Sequence, residues 1–106
     1  MSLLNFLKSS KIDSGVSEFA ATPGAVLLDV RSPDAFRRGR IPGSTNVPLQ
    51  RIDVVDVVVE DKNIPLFVYC HSGACSSRAV GALMDMGFKN VKNIGGIATY
   101  TGRVEC

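Results

Sequence analysis

The chain has 106 residues, of which 45% are hydrophobic, and a formal net charge of +2. Domains commonly hold about 100–150 residues, so residues 1–106 are predicted to form a single domain. The charges are balanced and the lysines do not cluster with aromatic residues, which argues against nucleic acid as a partner. No apolar stretch approaches the ~20 residues that cross a bilayer, so no membrane partner is expected.

The cysteines are Cys70, Cys75 and Cys106, an odd number. Residues 1–11 lack a basic region followed by a long apolar core, so we expect a cytoplasmic protein with reduced thiols. The spacing does not match a zinc site, because the lone His71 cannot complete a tetrahedral set with two cysteines of the same loop. We therefore predict no metal and no cofactor, and a solvent-accessible thiol at Cys106.

Turn and capping residues mark the elements of the first half. Thr22–Gly24 is a turn signal between a short amphipathic helix and an apolar strand. Ser32 as N-cap, Pro33 at the first helical position and Gly39 after the last define the next helix. The predicted elements are a helix near Val16–Ala21, a strand at Ala25–Val30, a helix at Pro33–Arg38, a brief strand at Ser44–Val47 and a segment of mixed structure within Leu49–Val59, whose valines have strand propensity.

The second half begins with a strand and a helix joined by a tight loop. Leu66–Tyr69 is a short apolar run that predicts a buried strand, with Cys70 at its C-terminal end. From Ser77 the apolar residues recur at the spacing of one helical face, and Gly87 ends that helix in a Schellman motif.

A last short strand is predicted at Asn90–Asn93, before a turn at Gly95–Gly96. Strands and helices then alternate, which predicts an α/β fold with a small parallel sheet and helices on both faces. Cys70 would lie at the carboxyl edge of that sheet, where open α/β sheets bind ligands.

The loop after Cys70 is suited to hold an anion. His71, Ser72, Gly73 and Ala74 are small apart from the imidazole, and Gly73 can adopt positive φ, so successive N–H groups can face one point. These N–H groups and the following helix N-terminus favour the thiolate of Cys70 and lower its pKa. The sequence thus predicts a reactive cysteine, with a buried structural cysteine as the alternative.

Three motifs stand in order within Val26–Gly102. They are LLDVR at Leu27–Arg31, continued by GRIPGS, Asn46 and Pro48; CHSGACSSRA at Cys70–Ala79; and NIGGI at Asn93–Ile97. Together they resemble the single-domain rhodaneses, the thiosulfate sulfurtransferases. Arg40 stands where that family often has a histidine, and the family usually places a short helix within Leu49–Val59. The resemblance implies a rhodanese-like α/β fold and sulfurtransferase activity.

The resemblance implies a double displacement at Cys70, the catalytic residue. Its thiolate attacks the outer sulfur of thiosulfate, from which sulfite leaves, or of another sulfane donor such as a persulfide, and the Cys70 persulfide then passes sulfur to a thiol, cyanide or a protein cysteine. Loop N–H groups hold the negative charge. A module without turnover, carrying sulfur or sensing redox state for a partner protein, is the alternative. The predicted substrate-binding residues are His71, Ser72, Gly73, Ala74, Cys75, Ser76 and Arg78.

The loop departs from the common family pattern at Cys75, where many rhodaneses carry an arginine. Anion binding is then expected to rest on backbone N–H groups, His71 and Arg78. Three roles stay open for Cys75: a disulfide with Cys70, a thiol that resolves a Cys70 persulfide or sulfenic acid, or a small helix-start residue. Phosphatase chemistry is rejected, because C-x5-R would need an arginine at Ser76.

Charged residues upstream of the loop are assigned structural roles. Asp29 and Arg31, at a strand end, are expected to fasten a neighbouring loop rather than to touch substrate. Arg37, Arg38 and Arg40 surround the end of a short helix, where cations complement the helix dipole, and a binding patch is the alternative.

Overall fold

A computed structural model describes residues 10–106. In chain order the elements are α1 (Lys11–Ala20), β1 (Val26–Asp29), α2 (Pro33–Arg38), β2 (Ser44–Asn46), a 3-10 helix (Leu49–Val54) that runs into α3 (Val55–Val58), β3 (Leu66–Cys70), α4 (Ala74–Asp85), β4 (Val91–Gly96) and a 3-10 turn (Ile97–Thr99).

Helix α1 begins earlier than predicted, at Lys11, because the Ser10 hydroxyl caps it by accepting the N–H of Asp13 at 3.1 Å. The segment used to argue against an export signal, residues 1–11, lies almost entirely outside the described residues. Within residues 10–106, no helix has both the length and the apolar character needed to cross a bilayer.

The sheet has four parallel strands in the order β2-β1-β3-β4. The chain steps outward in opposite directions from β1 and from β3, so the crevice at their carboxyl ends is a topological switch point. Cys70 is the last residue of β3, and Arg31 follows β1 closely. The sequence prediction of a small parallel sheet, with Cys70 at its carboxyl edge, is confirmed.

Strand β3 is buried on both faces and divides the core. Leu66, Val68 and Cys70 face a cluster that includes residues of α3 and α4, whereas Phe67 and Tyr69 face a second cluster that includes Ile12 of α1. This alternation follows from the two-residue period of a strand. Helices therefore cover both faces of the sheet, as predicted.

The valine-rich segment is helical, and the strand propensity assigned to it was misleading. Val55 and Val59 are buried, while Val57 and Val58 are 80% and 52% exposed, which is the spacing of one helical face. The N–H of Val59 donates to the Val55 carbonyl at 2.8 Å. Burial of one face outweighs the β preference of these residues, and the short helix implied by the family resemblance is present.

Helix α4 begins at Ala74, about one turn before the predicted start. Gly73 precedes it in the left-handed region, with φ +101°. At its end the N–H of Phe88 donates to the Leu83 carbonyl at 3.1 Å, and Gly87 has φ +100°. This is the Schellman motif that the sequence predicts.

Strand β4 runs through Gly95 and Gly96, so the turn predicted there is wrong. Val68 pairs with Asn93 and Tyr69 pairs with Gly95, which leaves Ile94 as the extra residue of a β-bulge. The first of the two glycines has φ +101°, which the bulge requires.

Candidate functional site

A cavity of about 580 Å³ opens at the carboxyl ends of β1 and β3. It is walled by the segment between β1 and the end of α2, by the loop after β3, and by residues that follow β4. Its lining residues are Arg31, Ser32, Ala35, Arg38, Gly39, Cys70, His71, Cys75, Ile97 and Val104. The cavity thus brings two predicted site thiols together with cationic side chains from a distant part of the sequence.

The Cys70 sulfur is held by the loop that follows it. Cys70 is 2% exposed, and its Sγ accepts the backbone N–H groups of Gly73 at 3.0 Å and Ser76 at 3.3 Å. The Ser76 Oγ lies 3.6 Å from the same sulfur. The loop is therefore the nest of converging N–H groups that the sequence predicts.

Two opposing effects set the pKa of the Cys70 thiol. Burial raises it, because a charged sulfur loses solvation. The Ser76 hydroxyl and the backbone N–H groups of Ser76, Gly73 and Ser72 lower it, because they stabilise the thiolate. The hydrogen bonds outweigh the burial, and the pKa of Cys70 lies below the ordinary value for a cysteine.

Asn93 supports the loop from behind, a role that the sequence analysis missed. Its Oδ1 accepts the Ser76 hydroxyl at 2.8 Å and the Gly95 N–H at 2.9 Å, and its Nδ2 donates to the Ser77 Oγ at 2.8 Å. Asn93 therefore orients the hydroxyl beside Cys70. The sequence signal that could have indicated this role is the position of Asn93 as the first residue of the NIGGI motif.

Gly96 lets the loop backbone pass close to β4. A Cβ at Gly96 would collide with the His71 carbonyl oxygen and would lie 2.6 Å from the Ser72 Cα. That carbonyl accepts the N–H of Ala98 at 3.1 Å, which fastens the loop to the segment after β4. The His71 side chain is exposed and lines the cavity, while its backbone is fixed.

Arg31 and Asp29 fasten the far wall of the cavity. The Asp29 side chain is fully buried, and the Arg31 guanidinium reaches both of its oxygens, at 2.6 Å and 3.1 Å. The same guanidinium donates to the Gly39 carbonyl at 2.6 Å. Arg31 thus holds the end of α2 against the sheet, as the sequence predicts, and it lines the cavity as well.

The arginines around the end of α2 have separate surroundings. Arg37 pairs with Asp34, and the Arg40 guanidinium lies 4.8 Å from the centre of the Phe36 ring. Arg38 lines the cavity, and no carboxylate among residues 10–106 pairs with it. Arg38 is the member of this group that is placed to meet an anion.

Several of the predicted site residues do not line the cavity. Ser72, Ala74 and Arg78 are exposed, and none of them lines it. The positive charge of the site therefore comes from residues after β1 rather than from Arg78 of α4. No cluster of three or more His, Cys, Asp or Glu side chains within the described range is arranged to hold a metal ion.

All three cysteines are free thiols, and Cys75 and Cys106 are exposed. Cys75 lines the cavity with Cys70. The thiol of Cys106 donates to the Arg38 backbone carbonyl at 3.3 Å. Nearby, Arg40 and Glu105 exchange two backbone hydrogen bonds of 2.9 Å, which sets Val104 as part of the cavity wall.

The family model described as Rhodanese-like domain matches residues 15–102 of this chain. The chain belongs to the rhodanese-like family. That match contains the whole cavity wall except Val104, and it contains the rhodanese loop from Cys70 to Ser76.

Two curated relatives and one solved structure illustrate the similarity. The thiosulfate sulfurtransferase PspE of Escherichia coli is 35% identical over 71 residues, which are 66% of this chain and 68% of the relative. The thiosulfate sulfurtransferase GlpE of Pseudomonas syringae is 40% identical over 74 residues, 69% of this chain and 68% of the relative. A rhodanese with anions from E. coli superposes with a TM-score of 0.71 at 30% identity, covering 76% of this chain and 96% of that one.

Proposed function

We propose that this protein is a sulfurtransferase that moves sulfane sulfur from thiosulfate, or from a similar donor such as a persulfide, to a thiophilic acceptor through a persulfide on Cys70. The observation that carries the proposal is the buried Cys70 sulfur, which accepts N–H groups at 3.0 Å and 3.3 Å within a cavity that Arg38 also lines. The names of the rhodanese relatives support the same activity.

The first step is attack on the donor. The Cys70 thiolate forms a bond to the outer sulfur of thiosulfate while the donor's S–S bond breaks, and that electron pair leaves with sulfite. The lowered pKa of Cys70 supplies the thiolate. The N–H groups of Gly73 and Ser76 point at the Cys70 Sγ, so the attacking thiolate is held in place by preorganised donors.

The second step returns the enzyme to its starting state. A small thiol, cyanide or a protein cysteine attacks the outer sulfur of the Cys70 persulfide, and the Cys70 thiolate leaves. Neither step needs a cofactor.

We place this reaction in the cytoplasm, where small thiols are abundant. That residues 1–106 form a single domain stays a prediction.

Arg38 is the residue proposed to receive the sulfonate end of the donor. Cys75 stands where many rhodaneses have an arginine, and Arg38, the last residue of α2, lines the same cavity. His71 is the second cavity-lining side chain that can donate to an anion. Both are exposed, so the donor keeps access from solvent.

The test compares the parent with Cys70→Ser in thiocyanate formation from thiosulfate and cyanide. Serine has nearly the size of cysteine and is a far weaker nucleophile, so the rate is expected to fall by about a thousandfold or more while the far-ultraviolet spectrum is unchanged. Stoichiometric release of sulfite from the reduced parent, and none from Cys70→Ser, is the matching single-turnover result. Thiocyanate formation that survives in Cys70→Ser would contradict the proposal.

A further inference from the structure

Two thiols of opposite accessibility line the same cavity. Cys70 is 2% exposed and its sulfur is enclosed by the loop, whereas Cys75 is exposed at the start of α4. Both are free and both line the cavity. An incoming acceptor therefore encounters a second thiol beside the sulfur that is proposed to carry the persulfide.

The loop brings these two residues close. The amide nitrogen of Ser76 lies 3.3 Å from the Cys70 Sγ. Covalent geometry puts the preceding Cα ~2.4 Å from an amide nitrogen, so the Cα of Cys75 lies within about 5.7 Å of that sulfur. The Cys75 sulfur is joined to this Cα through one methylene. A side-chain rotation with a small adjustment of the loop brings the two sulfurs together.

Resting on the proposed sulfurtransferase function, we propose that Cys75 is a resolving residue that converts the Cys70 persulfide into a Cys70–Cys75 disulfide and releases sulfide. The Cys75 thiolate, having lost its proton to solvent, attacks the Cys70 Sγ. The new S–S bond forms as the bond to the outer sulfur breaks, and that electron pair leaves with hydrosulfide. The outer sulfur is reduced, and the two cysteine sulfurs are oxidised to the disulfide.

Proximity favours this route over attack by an outside thiol. An intramolecular thiol acts at a high effective concentration, whereas an outside thiol has to enter the cavity first. Hydrosulfide leaves into a cavity whose walls carry Arg38 and His71, side chains that can donate to an anion. Two equivalents of a small thiol then restore both cysteines by thiol–disulfide exchange. In the presence of thiols, the net reaction reduces thiosulfate to sulfite and sulfide.

The experiment is a single turnover without oxygen. Reduced parent, Cys75→Ser and Cys106→Ser proteins are freed of reductant and mixed with excess thiosulfate, and sulfite, sulfide and intact mass are measured. For the parent we expect about one sulfite and one sulfide per chain and a mass about 2 Da below that of the reduced protein. For Cys75→Ser we expect the same sulfite, at least about tenfold less sulfide, and a persulfide mass about 32 Da higher.

Cys106→Ser is the matched control, because it removes the other exposed thiol and is expected to behave as the parent does. Peptide mapping of the parent is expected to find the Cys70–Cys75 disulfide. A stable persulfide in the parent without sulfide would overturn the role of Cys75, and so would a persulfide mapped to Cys75. If the reduced parent releases no sulfite and its mass does not change, the sulfurtransferase proposal fails, and this inference fails with it.

Discussion

Arg38 and Arg78 carry the same charge, and only Arg38 lines the cavity. A cation close to the binding site lowers the energy of a bound dianion, whereas an exposed cation farther away is screened by salt. We expect Arg38→Ala to raise the KM for thiosulfate about tenfold and Arg78→Ala to change it less than about twofold. Steady-state kinetics at low and physiological ionic strength measure both. Equal effects of the two substitutions would remove Arg38 from the proposed donor site.

Ser76 and Ser77 offer a second matched pair. The hydroxyl oxygens of Ser76 and Ser77 lie 3.0 Å and 3.1 Å from the Gly73 carbonyl oxygen, but the Ser76 Oγ also lies 3.6 Å from the Cys70 sulfur. Ser76→Ala removes a group that lowers the pKa of Cys70, so that pKa is expected to rise and kcat to fall about tenfold or more.

The measurement for this pair is the pH dependence of Cys70 alkylation by iodoacetamide. Its midpoint is expected at higher pH in Ser76→Ala and at the parent value in Ser77→Ala. An unchanged midpoint in Ser76→Ala would mean that the backbone N–H groups alone hold the thiolate.

Sequence reasoning at this scale found the residues that are close together along the chain. The end of a strand, a glycine able to adopt positive φ and a helix start are local signals, and they were enough to predict the nest around Cys70. Arg38 and Asn93 were not found as site residues, because each is brought to the loop by the strand order and not by its neighbours. An arginine at the end of a short helix also fits a dipole partner, which the local sequence favoured over a binding patch.

Strand β4 and the loop are joined through Gly96, which predicts a large cost for a single methyl group. In Gly96→Ala the new Cβ meets backbone atoms of His71 and Ser72, which cannot rotate away as a side chain would. We expect a loss of about 1–3 kcal/mol in the free energy of unfolding. A fall in kcat is expected as well, because the displaced loop carries the N–H groups that hold the thiolate.

Gly81→Ala is the control for Gly96→Ala. Gly81 lies inside α4, is exposed, and a Cβ there would meet nothing within 4 Å. Alanine in a helix is favoured over glycine, so this substitution is expected to stabilise the protein by about 0.5–1 kcal/mol. Urea unfolding followed by circular dichroism measures both variants. If Gly96→Ala were as harmless as Gly81→Ala, the close approach of the loop to β4 would be wrong.

The elements whose bounds are predicted correctly have capping or turn residues at both ends. Helix α2 was predicted with its observed bounds because a serine cap and a proline start it and a glycine follows it. The Val55–Val58 helix lacks any side-chain cap and consists mainly of β-branched residues, so its propensity favoured the wrong structure. The two glycines of β4 predict a turn when the sequence is considered alone. They belong to a β-bulge instead, and that bulge exists only because β4 pairs with β3.

The stability of the whole molecule is expected to depend on the charge of Cys70. The folded state lowers the pKa of this thiol, so it binds fewer protons than the unfolded chain between the two pKa values. The free energy of unfolding should therefore rise with pH from the folded pKa of Cys70 up to its unfolded pKa, and this contribution is lost as pH falls below the folded value. Cys70→Ser should abolish that rise in urea titrations repeated across pH.

Tyr69 is expected to make the free energy of unfolding fall, rather than rise, as the pH increases above 10. Burial raises its pKa from 10.0 to about 12, so the unfolded chain ionises first and stability is expected to fall between pH 10 and pH 12. The same titrations in Tyr69→Phe should lack this fall.

For the Cys70 prediction, the contradicting outcome is a single pH profile shared by Cys70→Ser and the parent below pH 10, which would mean that folding does not favour the thiolate.

The fold class was predictable because alternating strands and helices leave few ways to bury both faces of a sheet. The strand order follows from burial, since β3 is buried at all five of its positions and has to be central. The placement of β1 beside β3 brings Arg31 and Cys70 to one crevice. No single segment of the sequence indicates that Arg31 and Cys70 are neighbours, because only the assembled sheet brings them together.

The amides of Gly73 and Ser76 donate to sulfur rather than to oxygen. A hydrogen bond to a thiolate differs in strength from one to a thiol, a persulfide or a disulfide, and the proton in such a bond responds through its chemical shift and its rate of exchange with solvent. These two backbone protons therefore act as built-in reporters of the Cys70 sulfur. Nitrogen-15 spectra of the unmodified protein can follow a complete catalytic cycle without a label on the nucleophile.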